Sequence, residues 1–256
     1  MKNKIIIVGY PKSGNTWLCR LTAQTINCPV VGFWKSDHYE IAVEGNDRIS
    51  DFECYKSHHQ FSELNLDEIY KIIYIIRDPR DILYSGIGYF NFIKGNYIDK
   101  LFKLSYGHYI ISFIKRVSNS KFGFYYKKKR LKRAIFFGDI KLQEWLSVSW
   151  EEHVIGYQNK NILFIRYEDL LKDPLTEMKK LVKYLSLDID NDHILKSIEL
   201  QSFSNKKRKF ESEGDKLKAN FLRSGISGSW KNKLSLKERI EFKSQIGNTM
   251  SMFNYN

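Results

Sequence analysis

Short apolar runs alternate with helical patterns along this chain. The strand-like runs are rich in isoleucine and lie at Lys4–Val8, Phe52–Ser57, Lys71–Ile76 and Asn161–Ile165. Apolar runs of this length are typical of strands buried on both faces of a parallel sheet. Helical periodicity is clearest at Arg80–Phe92, Asp139–Tyr157, Leu175–Leu185 and Ser235–Met250, and a further helix is expected from Thr16 to about Ile26. The alternation predicts an α/β fold with a central parallel sheet flanked by helices.

The predicted strand ends indicate where ligands bind. In an open parallel sheet, ligands lie at the carboxyl ends of the strands. The candidate binding loops therefore follow Val8, Ser57, Ile76 and Ile165. The chain has 256 residues, no internal repeat and no linker rich in proline, glycine or serine, so we predict a single domain over 1–256. Residues 95–138 are interpreted as an insertion whose secondary structure the pattern does not define.

Charge and cysteine content narrow the class of protein. Lysine plus arginine number 42 against 29 aspartate plus glutamate, and the net charge of +13 suits an anionic ligand, nucleic acid or an acidic membrane face. The cysteines, Cys19, Cys28 and Cys54, are odd in number and lack metal-site spacing, which indicates reduced thiols. We find no secretory signal, and no stretch approaches the roughly 20 apolar residues of a membrane span. We therefore expect a cytoplasmic protein.

The loop after the first strand carries the most informative motif. It reads Gly9-Tyr10-Pro11-Lys12-Ser13-Gly14-Asn15-Thr16-Trp17 and opens the first helix. Loop amides and a helix N-terminus in this arrangement bind phosphate. The two glycines have the spacing of an NTPase P-loop, but Asn15 stands where that loop needs lysine, and the lysine has moved to Lys12. The motif predicts a nucleotide whose end group is not a γ-phosphate.

This motif resembles the 5′-phosphosulfate loop of the sulfotransferases that use PAPS, 3′-phosphoadenosine 5′-phosphosulfate, with Asn15 in place of a threonine. The resemblance runs from Ile5 to Lys231, with four motif regions in the family's order. It implies that Trp17 stacks on the adenine. The residues that it implies for the phosphosulfate are Lys12, Ser13, Gly14, Asn15 and Thr16.

A second motif resembles the family's 3′-phosphate site. Arg77-Asp78-Pro79-Arg80-Asp81-Ile82-Leu83-Tyr84-Ser85 follows the strand Lys71–Ile76. The guanidinium of Arg77 offers a planar fork to phosphate oxygens, and the Ser85 hydroxyl would donate to the same group. Asp81 is interpreted as structural.

A glycine-rich segment near the C-terminus resembles the family's flap over the same phosphate. In it, Arg223 would supply a second guanidinium, and Ser224 and Gly225 would supply backbone amides. Ser224 departs from the family's usual lysine, so one charge is lost. Tyr167 and Phe203 lie in segments that border the adenine in this family, although each ring taken singly is as well explained by core packing.

His58 is the candidate general base. It lies in Lys56-Ser57-His58-His59 at the end of the strand Phe52–Ser57, and the family has Lys-Thr-His at the matching point. A neutral imidazole near pH 7 accepts the proton of an attacking hydroxyl. His59 is the competing assignment, because adjacent side chains at a strand end diverge. Lys56 would face the same way as His58 and contact the transferring sulfuryl group.

The resemblance implies a PAPS-dependent sulfotransferase that releases adenosine 3′,5′-bisphosphate. The acceptor hydroxyl or amine attacks sulfur in line, His58 removes its proton, and Lys12 with the loop amides stabilises the departing phosphate oxygen, so no metal is required. The acceptor would be a small molecule, a glycan or a glycolipid, bound on the side of 95–138. The family's C-terminal dimer motif survives only partly around Lys231, so we predict no such dimer and leave the oligomeric state open.

Two other function classes remain as alternatives. A P-loop kinase or NTPase fits Gly9, Gly14 and Thr16, but not Asn15 or the absence of a strand that ends in an Mg²⁺-binding aspartate. A nucleic-acid-binding module fits the net charge but leaves the separated phosphate motifs unexplained, so we predict no nucleic-acid partner.

The basic run Lys127-Lys128-Lys129-Arg130-Leu131-Lys132-Arg133 follows a cluster of four aromatic rings in 122–126. Such a run is usually a solvated face. It also fits capture of an anionic or glycan acceptor, or docking on an anionic membrane surface, and the sequence leaves these three hypotheses open.

Overall fold

The secondary structure comes from a computed structural model, which describes residues 2–37, 41–66, 70–92, 106–221 and 225–256. The strands are β1 (Asn3–Val8), β2 (Val30–Phe33), β3 (Phe52–Ser57), β4 (Tyr70–Ile76) and β5 (Leu163–Arg166). The helices are α1 (Asn15–Thr25), α2 (Pro79–Ile87), α3 (Gly107–Ser118), α4 (Lys121–Phe137), α5 (Trp150–Ile155), α6 (Tyr167–Lys172), α7 (Pro174–Tyr184), α8 (Asn191–Leu200), α9 (Phe203–Ser212), α10 (Lys216–Phe221) and α11 (Leu236–Met252). Short 3₁₀ turns lie at Phe61–Glu63, Glu144–Leu146 and Ser229–Asn232.

The strands form one sheet of order β2-β3-β1-β4-β5, and every neighbouring pair is parallel. The predicted α/β fold with a central parallel sheet is therefore confirmed. At the carboxyl end of β1, Val8 lies opposite Ser57 of β3 and Tyr74 of β4. The loops that follow the strands consequently meet at one edge of the sheet, as the strand-end argument requires.

Both faces of the central strands are buried. On one face Ile5, Ile7, Ile73 and Ile75 pack in a hydrophobic cluster with residues of α1, α6, α7 and α8. On the other face Tyr74 stacks against His153 and Tyr157, with ring centroids 5.7 Å and 4.8 Å apart. Full burial of such side chains contributes ~1.5–3 kcal/mol each, which explains why these strands read as continuous apolar runs.

The chain divides into two compact units. Met1–Asp78 with His153–Ser229 contain the sheet, and Pro79–Glu152 with Trp230–Asn256 form a second unit. In the second unit α2, α4 and α11 pack together: Gly86 lies against Leu131, and Phe136 packs edge-on against Phe242 at 4.9 Å between centroids. Across the described ranges, no helix is long and apolar enough to cross a membrane.

Several predicted element boundaries are wrong. The helix predicted over Arg80–Phe92 ends at Ile87, where amides 89 and 90 turn back to the carbonyl of Gly86. Of Asp139–Tyr157, only Trp150–Ile155 is α-helical: Asp139 accepts from the Leu142 amide and closes a turn, and Ser149 begins the later helix by accepting from the amide of Glu152. Strand β2 was missed, because it is short, contains a glycine and leaves Val31 43% exposed.

The segment 95–138, whose structure the sequence left undefined, contains α3 and α4 from residue 106 onward. Residues 93–105 lie outside the described residues. All three cysteines are buried and free, consistent with the prediction of reduced thiols.

A buried ion cluster ties α1 to α9 and predicts a large stability effect. Glu44 lies 2.6 Å from the Lys206 ammonium and 3.5 Å from Arg20 Nε, and both cations are less than 8% exposed. Burial lowers the pKa of Lys206, and the Glu44 charge opposes that shift. We expect Glu44→Gln to lower the free energy of unfolding by ~3–5 kcal/mol, because two buried cations lose their shared anion.

Urea unfolding of the whole chain measures this effect. The matched control is Glu213→Gln, which breaks a pair with Lys209 whose side chains are 49% and 60% exposed, and which should change the stability by less than about 0.5 kcal/mol. Equal effects of the two substitutions would show that the Glu44 cluster contributes nothing beyond a surface pair.

Candidate active site

The loop from β1 to α1 is folded tightly around two glycines. A Cβ on Gly9 would lie 2.4 Å from the Ile75 carbonyl oxygen, so a side chain there would collide with β4. Gly14 has φ of 105°, and a Cβ there would lie 2.6 Å from the Tyr167 ring. Lys12 also adopts a left-handed conformation, with φ of 74°, which is costly for a residue with a side chain. Gly14 is the N-cap of α1 and brings no side-chain oxygen to the first-turn amides, which favours an anionic ligand there.

Asn15 ties this loop to the ends of two strands. It is 2% exposed, and its Nδ2 donates to the carbonyl of Gly9 at 3.2 Å and to that of Ser57 at 3.3 Å. The side-chain nitrogen is therefore used to hold β1, β3 and α1 in register. Its predicted contact with phosphosulfate remains a prediction for the backbone amide and the side-chain oxygen.

Lys56 extends from β3 toward the start of α1. Its ammonium donates to Thr16 Oγ1 at 3.1 Å and lies 4.9 Å from the centre of the Phe33 ring, and the residue is 6% exposed. Lys56 and Thr16, both candidates from the sequence, thus lie together at the helix N-terminus. A buried ammonium at this point adds to the positive end of the helix dipole.

His58 presents one ring nitrogen to the site. Its Nδ1 lies 2.7 Å from the Gly9 carbonyl oxygen, so Nδ1 carries the proton and Nε2 keeps its lone pair. Burial, with a further contribution from the Lys56 charge, holds the pKa of His58 well below its usual range. The ring is consequently a neutral base at pH 7. His59 differs, because it is half-buried and its Nδ1 lies 2.9 Å from Ser57 Oγ.

Two residues that the sequence reasoning missed support the turn that carries His58. His153 Nε2 donates to the His58 carbonyl at 3.0 Å, and the Tyr157 hydroxyl donates to the His59 carbonyl at 2.8 Å. Tyr74 in turn lies 2.7 Å from His153 Nδ1. Burial lowers the pKa of His153 to about 4, so this ring is also neutral. His153 and Tyr157 lie four residues apart, and nothing in the local pattern connects them with a strand end 95 residues away.

Arg77 joins three of the motifs that the sequence singled out. From the end of β4 its guanidinium donates to the Lys12 carbonyl at 3.1 Å and to the Ile226 carbonyl at 3.0 Å. It also lies 4.2 Å from the centre of the Tyr167 ring. The structure thus brings the phosphosulfate loop, the glycine-rich segment and the Tyr167 segment to one arginine.

The aromatic candidates form two contacts within the first unit. Trp17 and Tyr167 lie edge to face, with centroids 5.8 Å apart. Phe203 lies against Gly225, where a Cβ would be 3.2 Å from the ring. Arg223 and Ser224 are outside the described residues.

Residues 79–85 of the second motif belong to the second unit. Ser85 lies on α2, and its predicted role at the 3′-phosphate remains a prediction. Asp81 accepts a hydrogen bond from the Trp230 amide at 3.3 Å, which agrees with its structural interpretation.

Three buried polar atoms of the site have no hydrogen-bond partner among the residues that the structure describes. They are Ser13 Oγ, Asn15 Oδ1 and Arg77 Nε. Buried polar groups are normally paired, and an unpaired hydroxyl and guanidinium N–H fit the oxygens of a phosphate-bearing ligand. Within the part of the chain that the structure describes, no group of three or more histidine, cysteine or acidic side chains is arranged to hold a metal ion.

Comparison with known proteins identifies the family. The family model "Sulfotransferase domain" matches residues 2–254. Sulfotransferase 2A6 of Mus musculus is 27% identical over 93% of this chain and 81% of its own length. The 3-beta-hydroxysteroid sulfotransferase of Cavia porcellus is 25% identical over 93% of this chain and 80% of its own.

Two solved structures share the fold. Mouse sulfotransferase SULT7A1, complexed with PAP, superposes with a TM-score of 0.65 at 20% identity and covers 98% of this chain and 85% of its own. Retinol dehydratase, in complex with androsterone and PAP, superposes with a TM-score of 0.62 at 16% identity, and the match covers 96% of this chain and 80% of the dehydratase chain. The match of one family model to nearly the whole chain carries the conclusion: this chain belongs to the family of PAPS-dependent sulfotransferases.

Proposed function

We propose that His58 is the general base of sulfuryl transfer and that Lys56 and Lys12 are its cationic partners. The observation that carries this proposal is the bond from His58 Nδ1 to the Gly9 carbonyl, which leaves Nε2 as the only proton acceptor of a neutral ring. His59 is more exposed than His58, and its Nδ1 contacts the Ser57 hydroxyl, which can donate or accept and so does not fix the tautomer of the ring. The geometry therefore favours His58 over its neighbour.

The donor, PAPS, supplies the sulfuryl group when bound. The residues proposed to hold its phosphosulfate are Lys12, Ser13, Gly14, Asn15 and Thr16. The unpaired Ser13 hydroxyl and the N-terminus of α1 support this assignment. Arg77, with its unpaired Nε, is proposed for the 3′-phosphate together with Ser85, Arg223 and the amides of Ser224 and Gly225. Trp17, Tyr167 and Phe203 are proposed to border the adenine.

In the proposed reaction the acceptor hydroxyl or amine attacks the sulfur of PAPS and gives its proton to His58 Nε2. The imidazolium that forms keeps its Nδ1–H bond to the Gly9 carbonyl, which steadies the positive charge. Lys56, Lys12 and the loop amides face the negative charge that develops on the departing oxygen. These groups supply the electrostatic stabilisation themselves, so the proposed reaction uses no metal.

We propose a small-molecule acceptor and treat a glycan or glycolipid as the alternative. Two of the relatives, the 3-beta-hydroxysteroid and 3-alpha-hydroxysteroid sulfotransferases of Cavia porcellus, are named for hydroxyl-bearing small molecules. Beside the base, the Phe33 ring lies 5.9 Å from the His58 ring and offers an apolar wall to such an acceptor. We also propose that the chain acts in the cytoplasm as one sulfotransferase domain, which the match over residues 2–254 supports.

Replacement of each histidine separately tests the base. We expect His58→Ala to lower kcat by about 100-fold or more with a simple phenol or sterol acceptor, because a general base is lost. Affinity for adenosine 3′,5′-bisphosphate, measured by calorimetry, should change little. His59→Ala should be mild in both assays. Abolished turnover in His59→Ala with a near-normal His58→Ala would reverse the assignment.

The pH profile tests the neutral state of His58. Because its pKa lies below the usual 6.5, kcat/KM should stay level as the pH falls through 6.5 and decline only at more acidic pH. Lys56→Met removes a charge that disfavours the imidazolium, so the acid limb should move to higher pH in the variant, apart from any loss of rate. An acid limb near pH 6.5 or above in the parent would contradict the buried, neutral ring.

Nucleotide preference tests Arg77. We expect adenosine 3′,5′-bisphosphate to bind far more tightly than ADP, since a charged hydrogen-bond partner contributes ~1.5–3 kcal/mol, or ten- to a hundredfold in affinity. Arg77→Lys should weaken the bisphosphate by about that factor and leave the ADP affinity nearly unchanged, so ADP serves as the internal control. Equal affinities of the parent for the two nucleotides would remove the basis for the 3′-phosphate site.

A further inference from the structure

Exposed aromatic rings are concentrated on α3 and α4. Tyr109 and Phe113 on α3 are 67% and 66% exposed, and Phe122, Tyr126 and Phe137 on α4 are 71%, 51% and 64% exposed. Aromatic side chains are usually the most buried contributors to a core. A set of this size on two consecutive helices indicates a surface that binds something.

Three of the five exposed rings of α4 form one stripe with basic side chains. Phe122, Tyr126, Lys129, Arg133 and Phe137 follow one another at spacings of four, three, four and four residues, which places them on one helix face. These five residues are the aromatic-basic stripe. The buried residues of α4 lie elsewhere on the helix and include Leu131, Ala134 and Ile135. Over these residues the stripe is about 22 Å long, at 1.5 Å per residue.

Three other cations of the basic run, Lys128, Arg130 and Lys132, have partners within the second unit. Lys128 contacts Glu238 at 2.8 Å, Lys132 contacts Glu241, and Arg130 contacts Asp139 at 2.9 Å. No carboxylate of the described chain pairs with Lys129 or Arg133, and both are exposed. The helices α3 and α4 contain no acidic residue at all. The stripe therefore presents uncompensated positive charge among exposed rings.

We propose that the aromatic-basic stripe docks this enzyme on an anionic lipid bilayer. The charge is complementary to acidic headgroups, and a helix with aromatic and basic residues on its exposed face lies in the plane of the membrane interface. The stripe is convex, whereas small molecules bind in concave pockets. Two of its three rings are phenylalanine, which gains by leaving water but gives no hydrogen bond to a sugar. A bilayer surface satisfies the shape, the charge and the apolar rings together.

The binding test is co-sedimentation of the whole enzyme with two kinds of vesicle, phosphatidylcholine alone and phosphatidylcholine with about 30% phosphatidylserine. We expect binding to the anionic vesicles only, and weaker binding at 0.5 M salt than at 0.05 M because surface charges are screened. Lys129→Ser with Arg133→Ser should lower the partition coefficient about twenty-fivefold, since each cation near the surface contributes about fivefold. Phe122→Ser with Phe137→Ser should lower it at least tenfold.

Matched controls lie on α7 and α8 of the first unit. Lys179→Ser with Lys196→Ser removes two exposed cations, and Leu195→Ser with Leu200→Ser removes two apolar side chains that are each 47% exposed. Both controls should bind vesicles like the parent. Every variant should keep the parent's melting temperature and its affinity for adenosine 3′,5′-bisphosphate, which separates docking from folding and from the active site.

Three results would overturn the proposal. They are failure of the parent to bind anionic vesicles, equal binding to neutral vesicles, and equal losses in stripe and control variants. The last experiment measures binding of the parent and the stripe variants to a soluble sulfated polysaccharide. If the stripe substitutions abolish binding to that polymer while the parent ignores vesicles, the stripe recognises a glycan polyanion and the membrane proposal is wrong.

Discussion

The carbonyl oxygen of Gly9 is the acceptor on which the proposed site depends. It receives Asn15 Nδ2 from the start of α1 and His58 Nδ1 from the end of β3. A carbonyl oxygen has two lone pairs and can accept both bonds. The loop packs so closely against β4 that a Cβ on Gly9 would lie 2.4 Å from the Ile75 carbonyl oxygen, so only glycine fits there. One carbonyl thus sets the position of the helix N-terminus and the tautomer of the base. A change in the path of this loop would move both together.

The first unit buries positively charged side chains, and binding of an anion would offset the free-energy cost of that burial. Lys56 and Arg77 are 6% and 8% exposed, and burial of a charged group is unfavourable. Neutral groups compensate each of them: a hydroxyl and an aromatic face for Lys56, and two carbonyls and an aromatic face for Arg77. These neutral contacts leave both side chains charged beside the loop, where they can stabilise an incoming phosphate or charge that develops during the reaction. Burial, with a further contribution from the Lys56 charge, lowers the pKa of His58 and keeps the ring neutral.

The central strands could be predicted from sequence, because residues such as Ile73 and Tyr74 are buried on both faces and leave an unbroken apolar run. The edge strand β2 could not, since Val31 is exposed and the run is short. The helix predicted from Asp139 failed because periodicity does not register a side chain that closes a turn on the amide of Leu142.

Within the candidate site, the binding motifs could be read from local spacing, since each motif is contiguous. The residues that hold these motifs in place could not be predicted. Asn15 contacts the Ser57 carbonyl 42 residues away, and His153 contacts that of His58 across 95 residues. Such contacts depend on strand order and on which helix covers the sheet, and neither is encoded in a nine-residue window. The sequence therefore predicts the groups that meet a ligand better than the groups that hold them in place.

Because of helical geometry, some cations of the basic run pair with acidic side chains of the second unit and others lie on the aromatic-basic stripe. A run of seven residues passes almost twice around a helix, so its cations point in different directions. Lys128 and Lys132, four apart, share the side that meets Glu238 and Glu241 of α11, and they hold two helices together. Lys129 and Arg133, also four apart, lie about 100° around the helix from Lys128 and Lys132, on the same face as the rings of the stripe. The net charge of the segment therefore overstates the charge that a partner meets, because Lys128 and Lys132 pair with α11 and Arg130 pairs with Asp139.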